Sequence, residues 1–142
     1  MTSDKYLSFI EESLSKTGVE VEKVFLEPES KNTFSALALP VLAASQLDNN
    51  ERYIVMPSDH YIPLNKAFYE TCSNVKNQFK EEALTLMGVK PDNPSTEYGY
   101  ISFKTSNDDL KDIKSFIEKP ELDKAKLLVK QPDTLWNSGM FC

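Results

Sequence analysis

Glycine is scarce in this chain. Gly18, Gly88, Gly99 and Gly139 are the only four in 142 residues, too far apart to assemble a glycine-rich phosphate loop, so neither a dinucleotide fingerprint nor a Walker A loop is present. Cysteine is scarcer still. Cys72 and Cys142 are too few for the disulfide framework of a small secreted domain, and Cys72 reads as a small core hydrophobe. No apolar run approaches the ~20 residues of a transmembrane helix. The start, Met1 to Tyr6, has none of the apolar stretch of a secretory leader, and a cytosolic protein is expected. Positive charge is in deficit: 16 Lys+Arg stand against 22 Asp+Glu, a net charge of -6. That balance disfavours non-specific binding to nucleic acid or to an anionic membrane surface. An anionic ligand must therefore be held locally, against the overall field. What is present is ordinary for a globular protein, 40% apolar and 27% charged, and the length suits about one domain with a sizeable core.

The stretch Tyr53-Ile54-Val55-Met56 followed by Pro57-Ser58-Asp59-His60 organises the rest. Its apolar, β-branched half reads as a short buried strand that stops where the polar residues begin. Asp59 then sits at the strand's carboxyl end, where ligands bind in open α/β sheets, and there it can hold a divalent metal, bind a hydroxyl or merely cap the next turn. Upstream, Ser3 or Asp4 can cap a helix carrying Leu7, Ile10 and Leu14, with Gly18 as its stop. Val19 to Leu26 reads as a strand. A helix from Asn32 or Thr33 to about Leu47 contains Pro40, which should kink it. Downstream, Asn65 caps a third helix whose Phe68, Cys72, Val75 and Phe79 form a core stripe. Ala83 to Val89 is a strand closed by Gly88 and Pro91, and Tyr98 to Phe103 is a strand with Gly99 inside it, a mark of a bulge or of close approach by a ligand. Ile113 to Ile117 alternates as a half-buried strand, Leu122 to Lys130 is a short helix and Leu135 to Cys142 a last strand. Strands alternating with helices over the first ninety residues imply an α/β fold with a mainly parallel sheet, and the strand-rich remainder an antiparallel section.

Short polar clusters follow or interrupt these strands: Glu27-Pro28-Glu29-Ser30-Lys31-Asn32-Thr33, Pro57-Ser58-Asp59-His60, Tyr98-Gly99-Tyr100-Ile101, Phe116-Ile117-Glu118-Lys119-Pro120 and Trp136-Asn137-Ser138-Gly139-Met140-Phe141. Singly, each has a plain structural explanation as turn, cap, bulge, surface ion pair or loop. In this order and register they closely resemble the mannose-1-phosphate guanylyltransferase family of sugar nucleotidyltransferases, especially its bacterial type, from about Val21 to Phe141.

The resemblance implies a Rossmann-like, mainly parallel sheet of the nucleotidyltransferase type, incomplete at both ends, with a strand-rich sugar-binding part. It implies transfer of GMP from GTP to mannose 1-phosphate, giving GDP-mannose and pyrophosphate, with possible self-association of the chain. By resemblance Asp59 is a ligand of Mg²⁺, and Asp59 and Lys119 are the catalytic pair. Lys119 holds the sugar phosphate, and Glu118 accepts hydrogen bonds from sugar hydroxyls. Gly99 lets the backbone approach the sugar, and Asn137 with Ser138 completes the sugar pocket. Glu27, Asn32, Thr33 and Ser58 fall on the nucleotide side. The family's opening Gly-rich loop with its Arg and a second metal-binding Asp have no counterpart here, and Glu97 stands where the family usually has Gly. The expectation is the middle of a catalytic domain, with little activity by itself. The alternative is a non-catalytic remnant, or a module that binds a sugar phosphate or a partner.

Overall fold

Gly18 ends the first helix as its place in the sequence implies: α1 runs Leu7–Thr17, and Gly18 follows at φ 66° as a left-handed cap, a conformation that costs glycine little. A 3-10 turn, Asp4–Tyr6, leads into α1, and Ser3 stands at its start without a side-chain capping bond. The computed structural model describes residues 1–27, 29, 32–45, 53–63, 65–78 and 83–142. The chain divides into two compact units, Met1–Tyr53 and Ile54–Cys142.

In the first unit, α2 spans Asn32–Ser45 with Pro40 inside it; its expected end at Leu47 lies outside the described residues. Pro40 lacks an N–H, so one rung of the helical ladder is missing there. The expected strand from Val19 to Leu26 forms a single parallel bridge, Thr2↔Leu26, with Thr2 N–H donating to Phe25 O at 3.0 Å and Glu27 N–H to Thr2 O at 2.8 Å.

The second unit holds α3, Lys66–Gln78, then β1, Leu86–Val89, β2, Tyr100–Phe103, β3, Ile113–Ile117, α4, Leu122–Leu128, and β4, Thr134–Phe141. Asn65 caps α3 as expected, its Oδ1 accepting Phe68 N–H at 3.1 Å. The four strands form one sheet in the order β1-β4-β2-β3, and every adjacent pair is antiparallel. The fold is mixed α/β, but the mainly parallel sheet is not what the described residues form. Alternation of strands and helices suggests parallel pairing only if each extended run finds a neighbour running the same way. Here β2 and β3 are instead a hairpin, and β4 turns back between β1 and β2. Val55, in the expected Tyr53 to Met56 strand, makes one antiparallel bridge, to Phe141.

Side chains two apart on a strand share a face, and this sorts the sheet. Tyr100 pairs with Trp136 on one side and with Ile117 on the other. That face packs on α4, where Tyr100, Ala125 and Leu128 form a buried cluster with Ile117, Val129 and Trp136 around it. A second cluster, Val75, Met87 and Met140, gathers Ile62, Phe68, Cys72 and Cys142, so the α3 stripe is core; Phe79 lies outside the described residues. Strand β3 is an edge, and the half-buried alternation expected of it is replaced by exposure of residues 113–116. Gly88 does not close β1. It lies within the strand, and Leu135 Cδ1 stands 2.6 Å from where a Cβ would be.

Candidate functional site

Strand β4 is where the polar clusters of the second unit meet. Asn137 N–H donates to Gly99 O at 2.7 Å, which ties the Tyr-Gly-Tyr segment to the Trp-Asn-Ser-Gly segment. Continuing the β2–β3 register beyond Tyr100↔Ile117 sets Gly99 opposite Glu118. The contact is close: a Cβ on Gly99 would lie 2.8 Å from Phe116 Cζ and 2.9 Å from Glu118 Oε2. A side chain at 99 would meet the outer ends of the Phe116 ring and the Glu118 carboxylate, so glycine is what lets both lie close to this backbone. By the strand period, Gly99, Glu118 and Asn137 belong to the face opposite Tyr100, Trp136 and α4.

The Pro-Ser-Asp segment reaches the same strand. Val55 exchanges backbone hydrogen bonds with Phe141 at 2.8 and 3.0 Å. Two residues on, Pro57 Cγ lies 3.3 Å from the Cβ position of Gly139, whose φ is 71°. Only glycine adopts that backbone readily, and here the irregularity in β4 also leaves room for the proline. Ser58 and Asp59 form the turn that follows. The Asp59 side chain is 87% exposed, with Oδ1 4.0 Å from His60 Nε2.

Lys119 has φ 42°. A left-handed lysine ahead of a proline is doubly disfavoured, because the residue before proline is pushed towards extended conformations. The buried Pro120 follows, so the exposed Glu118 and Lys119 are presented from a strained turn. Strain of this kind gathers where a side chain must be aimed.

Asn137 and Ser138 differ in role. Asn137 Oδ1 accepts Gly139 N–H at 3.2 Å. Ser138 is 8% exposed; its Oγ donates to Met87 O at 2.6 Å and accepts Met140 N–H at 3.2 Å. It therefore closes the irregularity where the β1–β4 register shifts between Leu86 and Gly88.

Of the nucleotide-side candidates, Glu27 is half-buried in the first unit, and Asn32 and Thr33 open α2, their side chains lying outside the described residues. An apolar cleft of about 510 Å³ lined by Val75, Met87, Ile101, Phe103 and Leu135 is a separate feature, and none of the candidate site residues lines it. Among the described residues no three His, Cys, Asp or Glu side chains gather as a metal cluster, and no helix is long and apolar enough to cross a membrane.

A family model described as nucleotidyl transferase matches residues 2–142. The chain belongs to the nucleotidyl transferase family. Among curated relatives, a mannose-1-phosphate guanylyltransferase of Sinorhizobium fredii is 31% identical over 99% of this chain, which spans 28% of that relative. Two solved structures are similar at a TM-score of 0.79 each. One, titled a mannose-1-phosphate geranyltransferase from Thermus thermophilus, is 28% identical, over 92% of this chain and 38% of that one. The other, titled a mannose-6-phosphate isomerase from Helicobacter pylori, is 35% identical, over 98% of this chain and 52% of that one. Sequence reasoning gave no role to Pro57, which packs at Gly139, to Phe116, which packs at Gly99, or to Ser95, whose backbone meets the Tyr100 hydroxyl. Pro57 and Phe116 stand inside the Pro-Ser-Asp-His and Phe-Ile-Glu-Lys-Pro clusters but carry no role of their own in the sequence reading. Ser95 acts through its backbone, which leaves no mark in residue type.

Proposed function

We propose that this chain carries the sugar-phosphate side of a mannose-1-phosphate guanylyltransferase, an enzyme that transfers GMP from GTP to mannose 1-phosphate and releases pyrophosphate. The observation that supports this reading most is that Gly99, with Glu118 against it, and the segment leading to the Asp59 turn both meet the Asn137 to Phe141 part of one strand, β4. An exposed carboxylate held against a glycine backbone suits a sugar, whose hydroxyls donate to Glu118 while Gly99 leaves the room that the carboxylate occupies. Lys119, a compact cation on a flexible stem, suits the phosphate and offsets the net charge of -6 locally. Asn137 lies at the sugar, and Ser138 holds the β4 backbone that presents it.

In the reaction a phosphate oxygen of mannose 1-phosphate attacks the α-phosphorus of GTP. The new P–O bond forms as the bond to pyrophosphate breaks, and pyrophosphate leaves with its electron pair. Most of the protein's work in such a displacement is positioning and charge stabilisation. Lys119 and Glu118 orient the nucleophile; Ser58 is assigned to the nucleotide, and Glu27, Asn32 and Thr33 keep only the nucleotide assignment that the resemblance gives them. Asp59 offers one hard oxygen ligand, which fits Mg²⁺, an ion commonly held by one or two carboxylates with phosphates and water completing its shell. When bound, that ion would offset charge between the two phosphate groups.

No stretch of the 142 residues forms a glycine-rich phosphate loop, so we expect the isolated polypeptide to bind the sugar phosphate without turnover. The test is a pyrophosphate-release assay with GTP, mannose 1-phosphate and Mg²⁺. Absence of release, with retained mannose 1-phosphate binding, supports the reading. Turnover abolished by Asp59→Ala would overturn the expected inactivity, and failure to bind the sugar phosphate would overturn the assignment.

A further inference from the structure

Tyr100 is 0% exposed, the largest side chain so completely enclosed among the described residues. Its ring packs with Ala125 and Leu128, and apolar packing alone would be served as well by phenylalanine. The hydroxyl does something a phenylalanine cannot. It donates to Ser95 O at 2.9 Å and accepts Ser95 N–H at 3.0 Å, so donor and acceptor functions are both spent on the backbone of one residue. Ser95 N–H is shared with Asn93 O at 3.2 Å. The segment from Ser95 to Tyr100 is thereby closed on itself, and Gly99 lies inside the closure.

Other contacts brace the same loop. Ser95 Oγ accepts Glu97 N–H at 3.1 Å. Tyr98 meets the edge of Trp136 with ring centroids 5.1 Å apart, and Trp136 meets Tyr100 at 6.4 Å. Gly99 then leaves the loop with its carbonyl on Asn137 and with Glu118 Oε2 filling its Cβ position. The path from the buried hydroxyl to the carboxylate is short and continuous: Tyr100 to Ser95, the loop, Gly99, Glu118.

We propose that Tyr100 is a positioning residue, whose buried hydroxyl clasps the loop from Ser95 to Gly99 and so fixes Gly99 and, through it, the Glu118 carboxylate on which a sugar phosphate is held. The identity of the ligand rests on the function proposed above; the clasp does not. Removing the hydroxyl by Tyr100→Phe keeps the ring and its packing, so the fold survives while the loop loses two hydrogen bonds to one peptide.

The test joins a ligand-free and a ligand-bound readout on the intact chain. Amide hydrogen exchange on Tyr100→Phe is expected to quicken at Ser95 and Glu97 with β4 and α4 unchanged, and the dissociation constant for mannose 1-phosphate is expected to rise about tenfold, the scale of one lost hydrogen bond. Ser95→Ala, which spares the backbone clasp and removes only the bond from Glu97, should leave Ser95 exchange and affinity near wild type. Unchanged exchange at Ser95 in Tyr100→Phe overturns the clasp. Faster exchange spread over the whole sheet overturns it too, since Tyr100 would then be a core residue and nothing more. Local loosening with unaltered affinity overturns its role at the site. If the wild-type chain does not bind mannose 1-phosphate at all, the ligand assignment fails, and the exchange result alone decides the clasp.

Discussion

A methyl group on Gly99 would collide with Phe116 Cζ at 2.8 Å and Glu118 Oε2 at 2.9 Å. Gly99→Ala should therefore push Glu118 aside and weaken mannose 1-phosphate binding by about 1 kcal/mol, the scale of one disturbed hydrogen bond. Calorimetric titration checks this, and Gly99→Ala combined with Phe116→Leu should recover part of the loss by vacating the ring's share of the space. Lys119 separates backbone from charge. Its φ of 42° means that Lys119→Gly should raise stability to urea by about 1 kcal/mol, relief of left-handed strain exceeding the entropy cost of glycine. Lys119→Ala should leave stability near wild type. Both variants should weaken mannose 1-phosphate more than mannose, because the lost contact is to phosphate. At this scale the legible signals were residue types with few uses: a glycine inside a strand, an acidic–basic pair before proline, an aspartate after a strand. The reason for Gly99 was not legible, since it depends on a ring and a carboxylate from a strand that pairs with β2. The inward turn of Ser138 is likewise a matter of register.

Registers are set between elements, and there Ser138 has a measurable weight. Its Oγ donates to Met87 O, in a part of the sheet where Met87 and Ser138 are both buried. Ser138→Ala should cost about 1 kcal/mol in urea denaturation by removing a buried hydrogen bond, whereas Ser138→Thr keeps the hydroxyl and should cost less. The helices were legible because caps and stops are local. Gly18 and Asn65 act within one turn of the helix they bound. Strand positions from Tyr98 onwards were also close, Ile113–Ile117 to the residue. Strand direction was not. Val19 to Leu26 has the composition of a strand yet bridges only Thr2, because composition makes a segment extended while a ladder needs a partner along its length. The antiparallel order β1-β4-β2-β3 is a property of the pairs and cannot be read from any one of them.

Across the whole molecule, the matching of residues 2–142 to the nucleotidyl transferase family agrees with the order of the polar clusters, which carried the resemblance further than any one of them did. The relatives are much longer, this chain spanning 28% of the Sinorhizobium fredii protein, and the residues gathered around β4 are chiefly those proposed for the sugar phosphate. Glu118, Lys119, Gly99 and Asn137 all lie in the unit Ile54–Cys142, and the sequence offers no glycine-rich grip for a triphosphate. Affinity should therefore rank mannose 1-phosphate above GTP. The most direct measurement is a calorimetric titration of the 142-residue chain with each ligand in turn, in Mg²⁺, repeated on Lys119→Ala. The account predicts one mannose 1-phosphate per chain, bound more tightly than GTP and weakened by Lys119→Ala. Tighter binding of GTP, or mannose 1-phosphate binding indifferent to Lys119, would contradict it.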